Sequence, residues 1–314
     1  MSDRSTIFPA ERSTDGGFDR QLDAFRDRVT ADGSSPYPAV AGRYHLYVSL
    51  ACPWAHRIVI LRRLKGLENV VGMTVVDPLR NDEDGWRFTA EAPDPVNGFR
   101  FLKEAYLATD PGFQGRVTVP VLWDTVTGRI VSNSDDDLLR DFNSAFDGCG
   151  GDAGVDFYPA PLRADIDRLN AALYDEVNDG VYRAGFADDQ AGYERHVRLL
   201  FDALDRLDAC LAERRYLHGA KITESDWRLF VTLVRFDAVY VGHFKCNLRR
   251  VADYPHLSGY LRDLYQTPGV ADTVNFDHIK RHYYMTHPEI NPTRIVPAGP
   301  VQDLAQPHGR ERLG

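Results

Sequence analysis

Residues 43–57 read RYHLYVSLACPWAHR, and the fold is decided there. Tyr44, Leu46 and Val48 alternate with His45, Tyr47 and Ser49, the period of a β-strand over 43–50. A turn at Ala51-Cys52-Pro53 follows. Over 54–66, Ile58, Leu61 and Leu64 then recur at helical spacing, with Gly66 as a stop. Cys52 therefore stands between a strand end and a helix start. Backbone N–H groups at a helix N-terminus carry positive potential, which favours thiolate over thiol. A free cysteine titrates near ~8.5, and examples in this setting fall to about 3.5–7.5. The alternative for Cys52 is a small buried hydrophobe. Ala55 occupies the position of a second active-site cysteine, so thiol chemistry at Cys52 must take its resolving thiol from a small molecule. Pairing Cys52 with His56 as a metal site or a catalytic dyad is disfavoured, since no further ligands lie nearby in sequence.

Working outward, a second strand spans 70–76, and a long stretch rich in Asp, Pro and Gly follows over 77–115. The segment VTVPVLW (117–123) reads as a third strand and 129–131 as a fourth, with Ser134 capping a helix over 135–146. Proline inside a β-branched strand deletes a ladder hydrogen bond and needs a reason. A cis bond at Val119-Pro120 supplies one, because it turns the Val119 backbone toward an incoming extended peptide or thiol; the alternative is an edge-strand proline, and the strand–Cys–helix upstream favours the cis bond. Upstream, 1–40 is an irregular extension with one short helix over 18–29. Downstream, the glycine-rich segment 148–160 is a linker. Helical spacing then dominates, with helices over 162–177, 193–212, 223–241 and 255–266 and a shorter one near 270–279. The tail from Arg281 reads as a surface segment. Thr223-Glu224-Ser225-Asp226, flanked by Ile222 and Trp227, is a capping box with a hydrophobic staple, a signal of fold rather than catalysis.

The chain has 314 residues, enough for about two domains, and its 43% hydrophobic and 26% charged composition is that of a globular protein. A net charge of -9 opposes a nucleic-acid partner. No apolar run approaches a membrane span and no signal-peptide core precedes residue 20, so a cytoplasmic location is expected. Cys52, Cys149, Cys210 and Cys246 are too scattered for a disulfide framework or a zinc site, and no metal is expected.

Strand–CPWA–helix, the TVPV strand and the capping box together resemble the glutathione transferases. More narrowly, 43–57, 117–124, NDGVYRAGFA (178–187), 226–247, VNFDHIKRHYY (274–284) and INPTRIVPAGP (290–300) resemble the glutathionyl-hydroquinone reductases, the Xi class. This likeness covers nearly the whole chain beyond residue 40. It implies an α/β thioredoxin-like N-terminal domain over 41–147 with a class insertion at 78–115, an all-α C-terminal domain over 161–280 and a tail over 281–314. It also implies a homodimer and a thiol-dependent reductase acting on quinone and hydroquinone conjugates. Carried over by residue, Cys52 is the nucleophile that becomes a mixed disulfide. Tyr182 and Tyr283 hydrogen-bond the quinol oxygen, Trp86 contacts the thiol co-substrate, and Val119 with Pro120 supplies backbone pairing. His282 and Arg183 are secondary candidates. Packing at a domain boundary is the alternative role for the tyrosines.

One segment departs from the class. Where the family has Asn-Glu-Ser-Ser, whose Glu and Ser hold the γ-glutamyl amine and carboxylate, this chain has Asn133-Ser134-Asp135-Asp136. Ser134 lacks the anion, and Asp135 repels a carboxylate by on the order of 1 kcal/mol at 4 Å in water. The co-substrate is accordingly glutathione or another low-molecular-weight thiol such as mycothiol, which has no γ-glutamyl group. The competing activities are transferase-type conjugation, dehydroascorbate reduction or deglutathionylation on the same fold, and a non-catalytic binding role.

Overall fold

The computed structural model describes residues 11, 20–81 and 83–313, which divide into two compact units. The first holds Leu22–Asp156 and Thr273–His282. Its strands are β1 (Val29–Thr30), β2 (Tyr37–Pro38), β3 (Tyr44–Val48), β4 (Val71–Val75), β5 (Val121–Asp124) and β6 (Arg129–Ser132). Its helices are α1 (Pro53–Leu64), α2 (Lys103–Thr109) and α3 (Asp135–Ser144). The main sheet runs β4-β3-β5-β6, with β3 parallel to β4 and antiparallel to β5. All five β3 residues are buried, as a central strand covered on both faces requires. The polar ones are matched inside, His45 Nε2 to Thr74 Oγ1 at 2.8 Å and the Tyr47 hydroxyl donating to Asp94 at 2.8 Å. Pro53 opens α1 at its first turn, and Gly66, at φ 66°, ends it in the left-handed region.

Three expectations change in this unit. The helix over 18–29 is absent at 20–28. Phe25 and Asp27 instead exchange backbone hydrogen bonds with Asn133 and Val131, so the end of β6 takes the partners a helix would have used; positions 18 and 19 lie outside the described residues. The stretch 77–115 contains α2. The third strand starts at Val121 rather than 117, since Pro120 has no N–H to give the ladder and pairing begins only after it.

The second unit has the described residues 11, 20–21, 157–272 and 283–313. It comprises α4 (Arg163–Leu173), α5 (Gly180–Gly185), α6 (Gln190–Leu211), α7 (Glu224–Arg235) and α8 (Leu257–Tyr265), and takes in the last residues of α9 (Phe276–Thr286). Every residue of α7 is buried, and it opens with the expected capping box between Thr223 and Asp226. Two helices pass into π turns, at Tyr174–Asn178 and Phe236–Tyr240, which a 3.6-residue period does not anticipate. The segment after Arg281 departs from a surface tail. It continues α9, where Tyr283 is buried, and later the buried Arg310 donates to the carbonyls of Leu211, Arg214 and Arg215, satisfying the open end of α6. No helix among the described residues is long and apolar enough to cross a membrane.

Candidate active site

Cys52 is the N-cap of α1, with extended backbone at φ −75° and ψ 122°. Its N–H donates to Ser49 O at 3.1 Å and its C=O accepts from His56 at 3.0 Å, so turn and helix together fix the Cα. No side chain caps this first turn, and the turn carries no acidic residue. The positive end of the helix is thus not offset by a carboxylate in its own sequence. The half-buried Sγ donates to Val119 O at 3.6 Å, so sequence positions 67 apart meet, and the cis peptide that follows Val119 sits at the thiol. His56 is turned to other work: its Nε2 meets Thr273 Oγ1 at 2.8 Å. Among the other cysteines, burial pushes the Cys246 thiol well up, and burial beside Asp147 raises that of Cys149. Among the described residues no cluster of His, Cys, Asp or Glu suits a metal ion.

In the same unit Trp86 is buried and stacks on His282, with ring centroids 5.1 Å apart. His282 Nδ1 lies 2.7 Å from Pro78 O, an atom that can only accept, so Nδ1 carries the proton.

Ser134 caps α3 by accepting from the Asp137 N–H, and three aspartates fill the first turn, where the helix dipole favours them. Asp135 is not an exposed repulsive charge. The buried Arg57 guanidinium, itself over the Trp54 ring at 4.5 Å, donates to it at 2.5 Å. The repulsion of a co-substrate carboxylate expected from the sequence is corrected accordingly, since Arg57 offsets it. The extension adds a further acid. Arg26 bridges to Ser132 and pairs with Asp137 through two hydrogen bonds at 2.7 and 3.0 Å, which lays Asp23 beside Ser134. Burial and the charge of Asp135 raise the Asp23 carboxyl to about 6, against a hydrogen bond from Ser134.

In the second unit, Tyr182 on α5 and Tyr283 on α9 bring their hydroxyls within 2.5 Å of each other, and the Tyr240 hydroxyl lies 3.1 Å from that of Tyr283. Phe244 packs edge-on against Tyr182 and Tyr283 and stacks on Tyr240. It fits because Gly185 has no Cβ, which would overlap the Phe244 ring. Burial raises the Tyr240 and Tyr283 phenols well above their ordinary range. They stay neutral and act as hydrogen-bond donors. Arg183 pairs with Asp179 and Asp175, both at 3.3 Å, and Asp179 also holds Arg20, whose guanidinium lies over the Tyr182 ring at 5.1 Å.

The sequence reading missed Arg57, Asp23 and Tyr240. Arg57 and Tyr240 lie inside motifs quoted for the family, but neither position carries a spacing signal of its own.

Residues 51–138 match the glutathione S-transferase N-terminal domain family and 190–263 the corresponding C-terminal domain family. The chain is 52% identical over 311 residues to the glutathionyl-hydroquinone reductase YqjG of Escherichia coli, covering 96% of this chain and 94% of that protein. It is 48% identical to the glutathionyl-hydroquinone reductase PcpF of Sphingobium chlorophenolicum, with 93% of each covered. The glutathione-bound structure of YqjG superposes with a TM-score of 0.89, over 91% of this chain and 96% of that one.

Proposed function

The chain belongs to the glutathione S-transferase family, within its Xi class of glutathionyl-hydroquinone reductases, and from that premise we propose that it cleaves glutathionyl-hydroquinone conjugates to free hydroquinones. The observation that carries this reading is Cys52 at the uncapped start of α1 with Sγ against the Val119 carbonyl, a monothiol with no second cysteine at Ala55. An aryl carbanion is a poor leaving group, so the reacting form of the conjugate is the keto tautomer, whose sulfur-bearing carbon already holds a proton. The Cys52 thiolate attacks that sulfur, the S–S bond forms and the C–S bond breaks. The departing electron pair moves through the ring to the quinol oxygen, which becomes the phenolate and then takes a proton. Sulfur is oxidised and the ring is reduced. A second glutathione attacks the mixed disulfide, releasing glutathione disulfide and the Cys52 thiolate.

Each candidate residue takes a role in this scheme. Tyr182 and Tyr283 donate hydrogen bonds to the oxygen that gains charge. Trp86 packs against the glutathione, and Val119 with Pro120 gives it backbone pairing. Ser134 and Asp135 bind its γ-glutamyl end, with Arg57 offsetting the Asp135 charge. We assign the thiol-binding domain to 41–147 with an insertion at 78–115, and the protein to the cytoplasm as a homodimer.

Mycothiol is the second reading, favoured by Ser134, whose hydroxyl suits a sugar and offers no anion to an ammonium group. The experiment is turnover of both conjugates with both thiols, with mass spectrometry of the adduct on Cys52. Each glutathione conjugate should yield one hydroquinone and one glutathione disulfide at the cost of one free thiol. Thiol consumed with no disulfide formed would establish conjugation instead, and faster turnover with mycothiol would replace glutathione as the co-substrate.

A further inference from the structure

We propose that Asp23, on the segment ahead of β1, supplies the anion that holds the ammonium group of glutathione's γ-glutamyl end. The inference rests on the reading above that Ser134 and Asp135 meet that end of the co-substrate.

A γ-glutamyl end carries a carboxylate and an ammonium on one carbon. The N-terminus of α3 suits the carboxylate. The ammonium calls for a carboxylate that is not already committed to another cation. Four acids stand around this helix start, and three have other claims on them. Asp135 takes the buried Arg57 guanidinium at 2.5 Å. Asp137 takes Arg26 through two hydrogen bonds at 2.7 and 3.0 Å. Asp136 is exposed, where water screens its charge. Ser134 is buried and uncharged, and its hydroxyl is engaged twice: Oγ accepts from the Asp137 N–H, and its one proton goes to Asp23. The half-buried Asp23 carboxylate is the fourth acid. Among the described residues no guanidinium pairs with it, although the Arg26 charge acts on it.

The place of Asp23 is set by backbone bonds. Arg26 bridges antiparallel to Ser132, and the Asp27 N–H donates to Val131 O at 3.1 Å. Asn133 N–H donates to Phe25 O at 3.0 Å, and Phe25 N–H donates back to Asn133 Oδ1 at 2.8 Å. The Phe25 ring anchors the segment between Tyr106 and Phe113, with centroids 5.6 and 6.0 Å away. This register runs 25–27 along the end of β6 and delivers Asp23 to the N-cap of α3. Cys52 caps α1 as Ser134 caps α3, and the Arg57–Asp135 pair ties α3 to α1 five residues after the sulfur. Burial and the Asp135 charge raise the Asp23 carboxyl to about 6, so it is still ionised at neutral pH and gains when a cation arrives beside it. The anion missing from position 134 is thus returned by a residue 111 positions earlier in the chain.

The test measures binding of two thiols to the full chain by calorimetry. One is glutathione. The other has a glutaryl group in place of γ-glutamyl, which keeps both carboxylates and lacks the ammonium. The wild type should bind glutathione about tenfold more tightly than the glutaryl thiol. Equal binding of the two overturns the proposal and needs no variant. Asp23→Asn keeps the shape and an acceptor for Ser134. It should weaken glutathione about tenfold and leave the glutaryl thiol within about twofold, so that the preference disappears. A merely structural role would weaken both thiols alike, and that result, or an unchanged preference, overturns the proposal. A wild type that neither binds glutathione nor turns over its conjugates removes the parent reading, whereas wild-type turnover with an indifferent Asp23→Asn removes this inference alone.

Discussion

At the start of α1 the groups that define the sulfur's surroundings are main-chain: the N-cap backbone of Cys52, the carbonyl of Val119 and the peptide bonds of the first helical turn. Around Tyr283 the corresponding groups are side chains, two phenols and the ring of Phe244, brought from α5, the π turn after α7 and α9. A site made of backbone tolerates change in the residues that frame it, as long as the turn and the helix form. A site made of side chains depends on each residue separately, and on the small residue, Gly185, that lets the rings close up. The first provides a nucleophile and the second provides hydrogen bonds, so the two differ in how much a single substitution removes.

The largest effect tests the backbone-built site. Cys52→Ser should lose at least about a thousandfold in hydroquinone release with thermal stability little altered, because the turn does not need the sulfur. Steady-state assays with a melting curve check this, and retained activity would break the contrast at its strong end. Next, Tyr283→Phe removes the central hydroxyl of the phenol cluster and should lower kcat by about 10–100-fold, leaving the rate of Cys52 alkylation by iodoacetamide unchanged. A parallel fall in alkylation would mean that the two sites are not separable. The smallest effect belongs to Asp23. Its folded value, about 6, lies above the ordinary 3.8, so its contribution to stability is present at low pH and lost as pH rises through about 6. Asp23→Asn should therefore gain on the wild type between those values. Discounted for a half-buried group, the gap is about 1 kcal/mol, or roughly 2–4 °C in Tm. Melting curves across that range measure it, and parallel pH profiles would show that Asp23 is not perturbed.

The same contrast explains what could be read from the chain in advance. The strand, turn and helix around Cys52, the proline at 120 and the capping box at Thr223 are local patterns, and they stand close to where the periodicity put them. Tyr182 and Tyr283 came from likeness to a family, not from spacing. Tyr240 escaped because a π turn shifts its side chain off the helical period, and no pattern within α7 reports that extra residue. Arg57 escaped for another reason: its partner Asp135 is 78 positions away, and a charge pair at that separation leaves no local trace. The helix expected over 18–29 failed where backbone partners from β6 outweighed the propensity of the segment.

Arg310 gives the helical unit a temporal order. The carbonyls it gathers at the end of α6 include that of Arg215, 95 positions earlier. On the ribosome, α6 emerges long before its last turn can be closed, and water must serve those oxygens until the arginine arrives. The cap is synthesised 95 positions after Arg215, so full locking of that helix waits for all the chain between them.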